Sequence, residues 1–380
     1  MHILLYGFLY LGCVSLLNLF ISSFSILERQ NMDYRLKAEQ KGSPLPKEYI
    51  PPSNWRSVVL ASIGTLFIVL LFNFIAAWYL SHFSPNTGYL LIRAKWNIIG
   101  ELKQHVDMLI LGDSSGNQGV DPEVIKDELG MYSVNLCSIG QVGIINDALM
   151  LQSYLNNQKA PRAVLLVHAY DVWSREINLA ALSQISCKWL HKDPILNLNL
   201  NQKISLYLNR YFPIYSQSSS LSQILKKPWL GFSRNLELQP NGFMRRLEAN
   251  PDEVIKDTKM SMAFIHRNLQ PVSLPNRKAL IKIGNLAEEY KFDVFIINSP
   301  LYEGLYSNKN FQRYFKDVMN EIDNIIKTNK RLHHILCTPI TFSKEEMETV
   351  DHLTLGAAKI YTTRVIEKIR NILITNKIQD

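Results

Sequence analysis

Three short stretches carry side chains whose types and spacing suit nucleophilic acyl chemistry. Gly112-Asp113-Ser114-Ser115-Gly116-Asn117 closes an apolar run. A serine on a tight, Gly-flanked turn between a strand and a helix exposes its hydroxyl and turns its own N–H toward an oxyanion. Ser138-Ile139-Gly140-Gln141-Val142-Gly143 ends a second apolar run, where glycine lets backbone N–H groups come close to a ligand. Asp351-His352 precedes Leu353-Thr354-Leu355-Gly356-Ala357-Ala358. A histidine there could take the proton of Ser114, with a carboxylate orienting its ring. Each piece also has a plainer reading. The first is equally a polar turn or a phosphate-cradling turn, although no downstream GK[ST] or GxGxxG supports the phosphate version. The plainer reading of His352 is a surface or helix-capping residue. Of nine histidines, it alone sits beside an Asp and just before a Gly-Ala helix start.

These residues need a scaffold that brings them together. Val106–Ser114, Ser133–Gly140, Ala163–Tyr170, Asp293–Pro300 and His333–Ile340 are short apolar runs ending in turn residues, the pattern of strands buried on both faces. Helical patterns alternate with them: Pro122–Gly130, Ile145–Gln158, Lys278–Tyr290, Phe311–Lys327 and Leu355–Leu373. The alternation predicts an α/β fold, a flavodoxin-like three-layer sandwich around a mostly parallel five-stranded sheet. In such sheets ligands bind beyond the carboxyl ends of the strands. Ser114, Gly140 and His352 are all expected there. Residues from about 174 to 272 lack steady periodicity and read as an insertion.

Two stretches lie outside this pattern. Residues 3–26 and 57–80 contain no charged side chain, and each is long enough to cross the ~30 Å hydrocarbon core as a helix. A cleaved signal peptide is the other reading of the first, against which stands the lack of a basic segment before it. The intervening loop, 27–56, carries Arg29, Arg35, Lys37, Lys41, Lys47 and Arg56. The positive-inside bias places it in the cytoplasm and residues 84–380 outside. Net charge is +8, but no basic run with interleaved aromatics points to nucleic acid. Four cysteines without a CxxC or a Cys/His cluster suggest neither a disulfide scaffold nor a metal site. No motif calls for a cofactor.

With these residues in view, the body resembles the GDSL/SGNH hydrolase superfamily over about Val106 to Leu373. ILGDSSGNQGVDP resembles its first block, whose serine is the nucleophile. NLCSIGQVG resembles the second, whose Gly contributes an oxyanion-hole N–H, here Gly140. DHLTLGAAKIYT resembles the last, with its catalytic His. The resemblance implies Ser114 as nucleophile and His352 as base, with the Ser114 and Gly140 N–H groups in the oxyanion hole. There are departures. Tyr170 stands where the third block has an oxyanion-donating Asn, so Tyr170 or a backbone N–H would substitute. Thr349 stands where the last block has its Asp, which leaves Asp351, or a Ser–His dyad. Asp113, Asn117, Gln141 and Asp171 adjoin the expected centre as substrate contacts. Tyr302 joins them if Asn298–Tyr302 lines the cleft rather than forming a plain turn.

The resemblance is greatest to membrane-tethered relatives that modify cell-surface glycans. It implies transfer of an acetyl or other small acyl group to a surface polysaccharide at the bacterial cytoplasmic membrane, through a Ser acyl-enzyme. A multi-span membrane-bound O-acyltransferase would deliver the acyl group. An extracytoplasmic carbohydrate esterase and a non-catalytic subunit of a polymer-assembly complex are the alternatives. Trp189, Tyr207, Tyr211 and Trp229 make the insertion the expected acceptor cap, although they equally suit a small core of its own.

Overall fold

A computed structural model of the chain describes residues 55–187, 190, 193–226, 236–267 and 269–376. These fall into two units.

The larger unit, 86–211 with 236–376, holds the sheet. Strands β1 (Met108–Gly112), β2 (Ser133–Asn135), β3 (Ala163–His168), β4 (Asp293–Asn298) and β6 (Leu332–His334) lie in the order β2-β1-β3-β4-β6. Every pairing is parallel. The five-stranded sheet is consistent with the expected flavodoxin-like fold, and it is parallel throughout rather than mostly. A separate parallel pair, β5 (Leu301–Tyr302) with β7 (Thr341–Phe342), flanks it.

Side chains alternate across the sheet, as the period of two requires. Leu109, Leu111, Val164, Leu166, Val294 and Ile296 point to one face and join one core. That face is covered by α2 (Thr87–Glu101), α5 (Gly143–Leu155), α8 (Leu274–Tyr290) and α9 (Lys309–Ile326). Met108, Ile110, Leu165, Val167, Phe295 and Ile297 point to the other. There α4 (Pro122–Leu129) and α10 (Leu355–Asn376) cover them through Ile125, Tyr361, Val365 and Ile369. The result is three layers.

Local signals explain the element ends. Asp121 caps α4 by accepting from Glu123 N–H at 3.0 Å, Pro122 opens the helix, and Gly130 ends it in the left-handed conformation, the usual Pro-start, Gly-stop asymmetry. Within the expected insertion lie α6 (Leu200–Tyr211) and α7 (Pro251–Ile265). Asn250 caps α7 by accepting from Glu253 N–H at 3.2 Å.

The smaller unit comprises 55–85 and 212–226. Its helix α1 (Trp55–Phe83) spans 29 residues, and Val59–Phe83 has a mean hydropathy of 2.4 in its most apolar window. Among the described residues, this one helix is long and apolar enough to cross a membrane. A short helix, Pro213–Ser216, packs on it. Part of the expected insertion therefore groups with the apolar helix rather than with the sheet. The other expected span, 3–26, and the loop up to residue 54 lie outside the described residues.

Candidate functional site

Ser114 opens α3 (Ser114–Gly119) directly after β1 and is half-buried. The turn that presents it depends on Gly112, whose φ is +147°. A Cβ there would stand 1.9 Å from the Val167 carbonyl oxygen of the neighbouring strand. No side chain fits.

Beneath Ser114 lies a buried ionic chain. Asp113 accepts hydrogen bonds from Ser115 N–H (2.8 Å), Ser115 Oγ (2.5 Å) and Ala169 N–H (2.6 Å). His168 Nδ1 is 3.5 Å from Asp113, and His168 Nε2 is 2.6 Å from Asp147 on α5. Asp147 also accepts from Gly112 N–H. Burial opposes ionisation of Asp113, but the nearby His168, together with Ser115 and Ala169 N–H, holds it well below the usual carboxylate range. Burial likewise opposes protonation of His168, yet Asp147 and Asp113 push its pKa up to about 9. The imidazolium is thus favoured at His168 beside an ionised Asp113, while burial raises the pKa of Asp147 against the opposing pull of His168.

This arrangement corrects two expectations. Asp113 is 2% exposed with its oxygens committed, so it positions the serine turn and does not meet substrate. Asn117 is fully buried, and its Oδ1 accepts from Lys95 Nζ at 2.6 Å. Lys95 also donates to the carbonyls of Asn135 and Gly242. Without a carboxylate among these partners, burial lowers its pKa to about 7.

His352 sits in a loop closed on itself. Met347 and Leu353 form an antiparallel bridge, and Glu348 N–H donates to the His352 carbonyl at 2.9 Å. The loop is tied to the same sheet end. Tyr302 N–H donates to the Val350 carbonyl at 2.9 Å, Leu355 N–H to the Arg246 carbonyl at 2.6 Å, and Met244 N–H to the Asn117 carbonyl of α3 at 3.2 Å. The Asp113 charge reaches His352 as well.

The ring's protonation follows from its partners. The Thr349 hydroxyl donates to Asp351 Oδ1 at 3.1 Å and also contacts His352 Nδ1. Having one proton, already given to Asp351, Thr349 must accept from Nδ1–H. Asp351 Oδ1 is itself 3.0 Å from Nδ1. In the neutral ring Nε2 then carries the lone pair, and it is buried with no hydrogen-bond partner. Burial disfavours the imidazolium, but Asp351, Asp113 and Glu348 raise the pKa to about 8. Asp351 thus does contact His352 although the two are adjacent, because Thr349, at the position expected for an Asp, bridges them. Ser114 and His352 share one end of the sheet but are not hydrogen-bonded to each other.

The remaining expected contacts divide. Gly140 is buried and begins a turn of 3-10 helix, and Gln141 beside it is exposed. Tyr170 is corrected. It is 4% exposed, its ring packs edge-on against Phe311 with centroids 4.7 Å apart, and its hydroxyl pairs with Ser261. Its side chain is committed to the core rather than to an oxyanion. Asp171 is ion-paired with Arg175, and burial raises its pKa. Tyr302 is half-buried in β5, packed against both cores.

Arg175 is the residue that sequence reasoning missed. It follows Asp171 by four residues, a spacing that favours an ion pair on a helical turn. It lines a small cleft with Gly140, Gln141, Gly143, Glu176 and Asn276. Away from this centre, Asp323, His334 and Cys337 bring ligand-type atoms within 4.8 Å of one another, with His334 Nδ1 2.7 Å from Asp323. Compared with known proteins, the chain matches no family model and no curated protein.

Proposed function

We propose that this protein is a membrane-anchored, SGNH-like O-acyltransferase that passes an acetyl or other small acyl group to a cell-surface polysaccharide. The observation that carries the proposal is the placement, at one sheet end, of a half-exposed turn serine and a histidine whose Nε2 is buried and without a hydrogen-bond partner. A basic nitrogen withheld from water and from protein donors suits a proton abstracted from a nucleophile.

In the proposed reaction Ser114 Oγ attacks the acyl carbonyl while His352 Nε2 takes the hydroxyl proton. Asp351 and Thr349 stabilise the imidazolium through Nδ1–H. The Ser114 and Gly140 N–H groups face the tetrahedral oxyanion. Collapse expels the donor's leaving group, which receives the proton from Nε2, and leaves an acyl-Ser114 ester. A polysaccharide hydroxyl then attacks that ester with His352 again as base, and Ser114 Oγ leaves as the alcohol. A multi-span membrane-bound O-acyltransferase as donor partner and a two-pass anchor with the body outside complete the proposal.

The test is covalent labelling of the full-length protein in native membranes with a fluorophosphonate. Modification at Ser114, lost in Ser114→Ala and reduced at least about a hundredfold in His352→Ala, is the expected result. Loss of polymer acylation in Ser114→Ala cells should accompany it. Absence of label at Ser114 in the wild-type chain would remove the enzymatic reading. Supplying an activated acetyl ester with and without an oligosaccharide separates transfer from hydrolysis, since an esterase yields free acetate in both.

A further inference from the structure

The Tyr170 ring is turned into the core, so one oxyanion donor of the resembled pattern is missing. We infer that the Arg175 guanidinium supplies it, facing the oxyanion together with the Gly140 N–H; this rests on the acyl-transfer reading and names a residue which that reading lacked.

The argument is geometric. Arg175 Nη1 lies 2.6 Å from where a Cβ on Gly140 would stand. The backbone N of a residue is about 2.5 Å from its own Cβ position by standard bond lengths. Nη1 is therefore no more than about 5 Å from the Gly140 nitrogen. One oxygen accepting from both at about 2.9 Å needs donors less than about 6 Å apart. A single anionic oxygen can thus bridge the Gly140 N–H and the guanidinium. A side chain at position 140 would fill this space, which gives the glycine a reason beyond backbone freedom.

The donor is also oriented and available. Asp171 holds Nη2 by an ion pair, and Nη1 makes no hydrogen bond among the described residues. Ser273 and Asn276 both donate to the Arg175 carbonyl, at 2.8 and 3.2 Å, which fixes the backbone that carries it. The guanidinium side chain is 36% exposed, open to a ligand. It lies within electrostatic reach of both Asp113 and Asp351, the neighbours in sequence of the nucleophile and of the base. Burial opposes the cation, but Asp171 and these carboxylates keep it charged. A fixed cation aimed at developing negative charge is the kind of group whose loss costs about 10²–10³ in turnover.

The experiment uses the full-length protein in detergent or nanodiscs with a p-nitrophenyl acyl ester. Arg175→Ala should lower kcat by about a hundredfold with KM within about threefold, and added guanidinium chloride at millimolar concentration should restore at least tenfold of the loss. Arg175→Lys should fall between, because a point charge lacks the fork geometry. Fluorophosphonate labelling of Ser114, whose adduct carries an oxyanion-like oxygen, should slow in the same order. If Arg175→Ala retains kcat within threefold, or if kcat falls without any response to guanidinium while Arg175→Lys behaves like wild type in thermal unfolding, the inference is overturned. Failure of the wild-type chain to react at Ser114 would instead sink the acyl-transfer reading beneath it.

Discussion

At residue scale the site turns on how a weak acid and a weak base are tuned. His352 is unusual in having its acid partner immediately before it in sequence, a placement that normally directs the two side chains apart. Thr349, three residues back, accepts from the ring and donates to the carboxylate, so a relay of two short side chains replaces one longer contact. The raised pKa of about 8 sets a pH dependence. Below it His352 is protonated and cannot serve as base, so kcat/KM for an activated ester should rise with an apparent pKa near 8. Asp351→Asn removes the largest charge favouring the imidazolium. The apparent pKa should then fall toward the ordinary histidine value of about 6.5, while the plateau rate drops by about 10²–10⁴. A pH–rate profile of the two proteins checks both. An unchanged midpoint in Asp351→Asn would show that Thr349 alone orients the ring. The placement of Ser114 after β1, of Gly140 after β2 and of His352 before the last helix was legible because turn residues closing apolar runs are written in types and neighbours. Asp113 and Asn117 were misread because a polar residue beside a nucleophile looks the same in sequence whether it faces substrate or the protein interior.

At the scale of elements, the Asp113–His168–Asp147 chain joins β1, β3 and α5 beneath the serine turn. A buried imidazolium there does what a backbone hydrogen bond cannot: it fixes two carboxyl groups that hold Gly112 N–H, Ala169 N–H and Ser115. Its pKa is raised above the unfolded value, so its contribution to stability is full below about pH 6.5 and is lost as pH rises toward about 9. Thermal unfolding should show a midpoint falling across that window, and His168→Asn should be destabilised and flat over it. Equal pH slopes for both proteins would mean that His168 is neutral in the folded state. The strands themselves were legible, because parallel strands buried on both faces leave continuous apolar runs such as Met108–Gly112 and Ala163–His168. The helices between 174 and 272 were not. Along α7 only Val254 and Ser261 are buried, so the apolar repeat that would reveal the helix is nearly absent, although Asn250, Pro251, Asp252 and Glu253 spell its start.

At the scale of the whole molecule, the chemistry and the anchor make separate demands. Helix α1 exposes Leu60, Ile63, Leu66, Phe67, Leu70, Phe74 and Trp78, an apolar surface that water penalises and hydrocarbon accepts. At about 1.5 Å per residue, its 25 most apolar residues reach roughly 37 Å, enough to cross the ~30 Å core with some tilt. The basic loop before it and the scarcity of cations just after it set the proposed direction, with the α/β body outside. That direction matters, because a polysaccharide acceptor at the cell surface is reachable only from there. A periplasm-active reporter fused after Asp380 should therefore be active in the wild-type chain. Placing Leu66→Lys and Leu70→Lys in α1 adds about 2.5–3.5 kcal/mol per lysine to insertion. If the helix then fails to cross, the body stays with the basic loop, and the reporter should fall silent while total protein is unchanged. A reporter silent in the wild type would mean that α1 does not carry the body across, and the acceptor would have to be sought on the cytoplasmic side; a reporter active but indifferent to both lysines would mean that the body reaches the outside without α1 crossing.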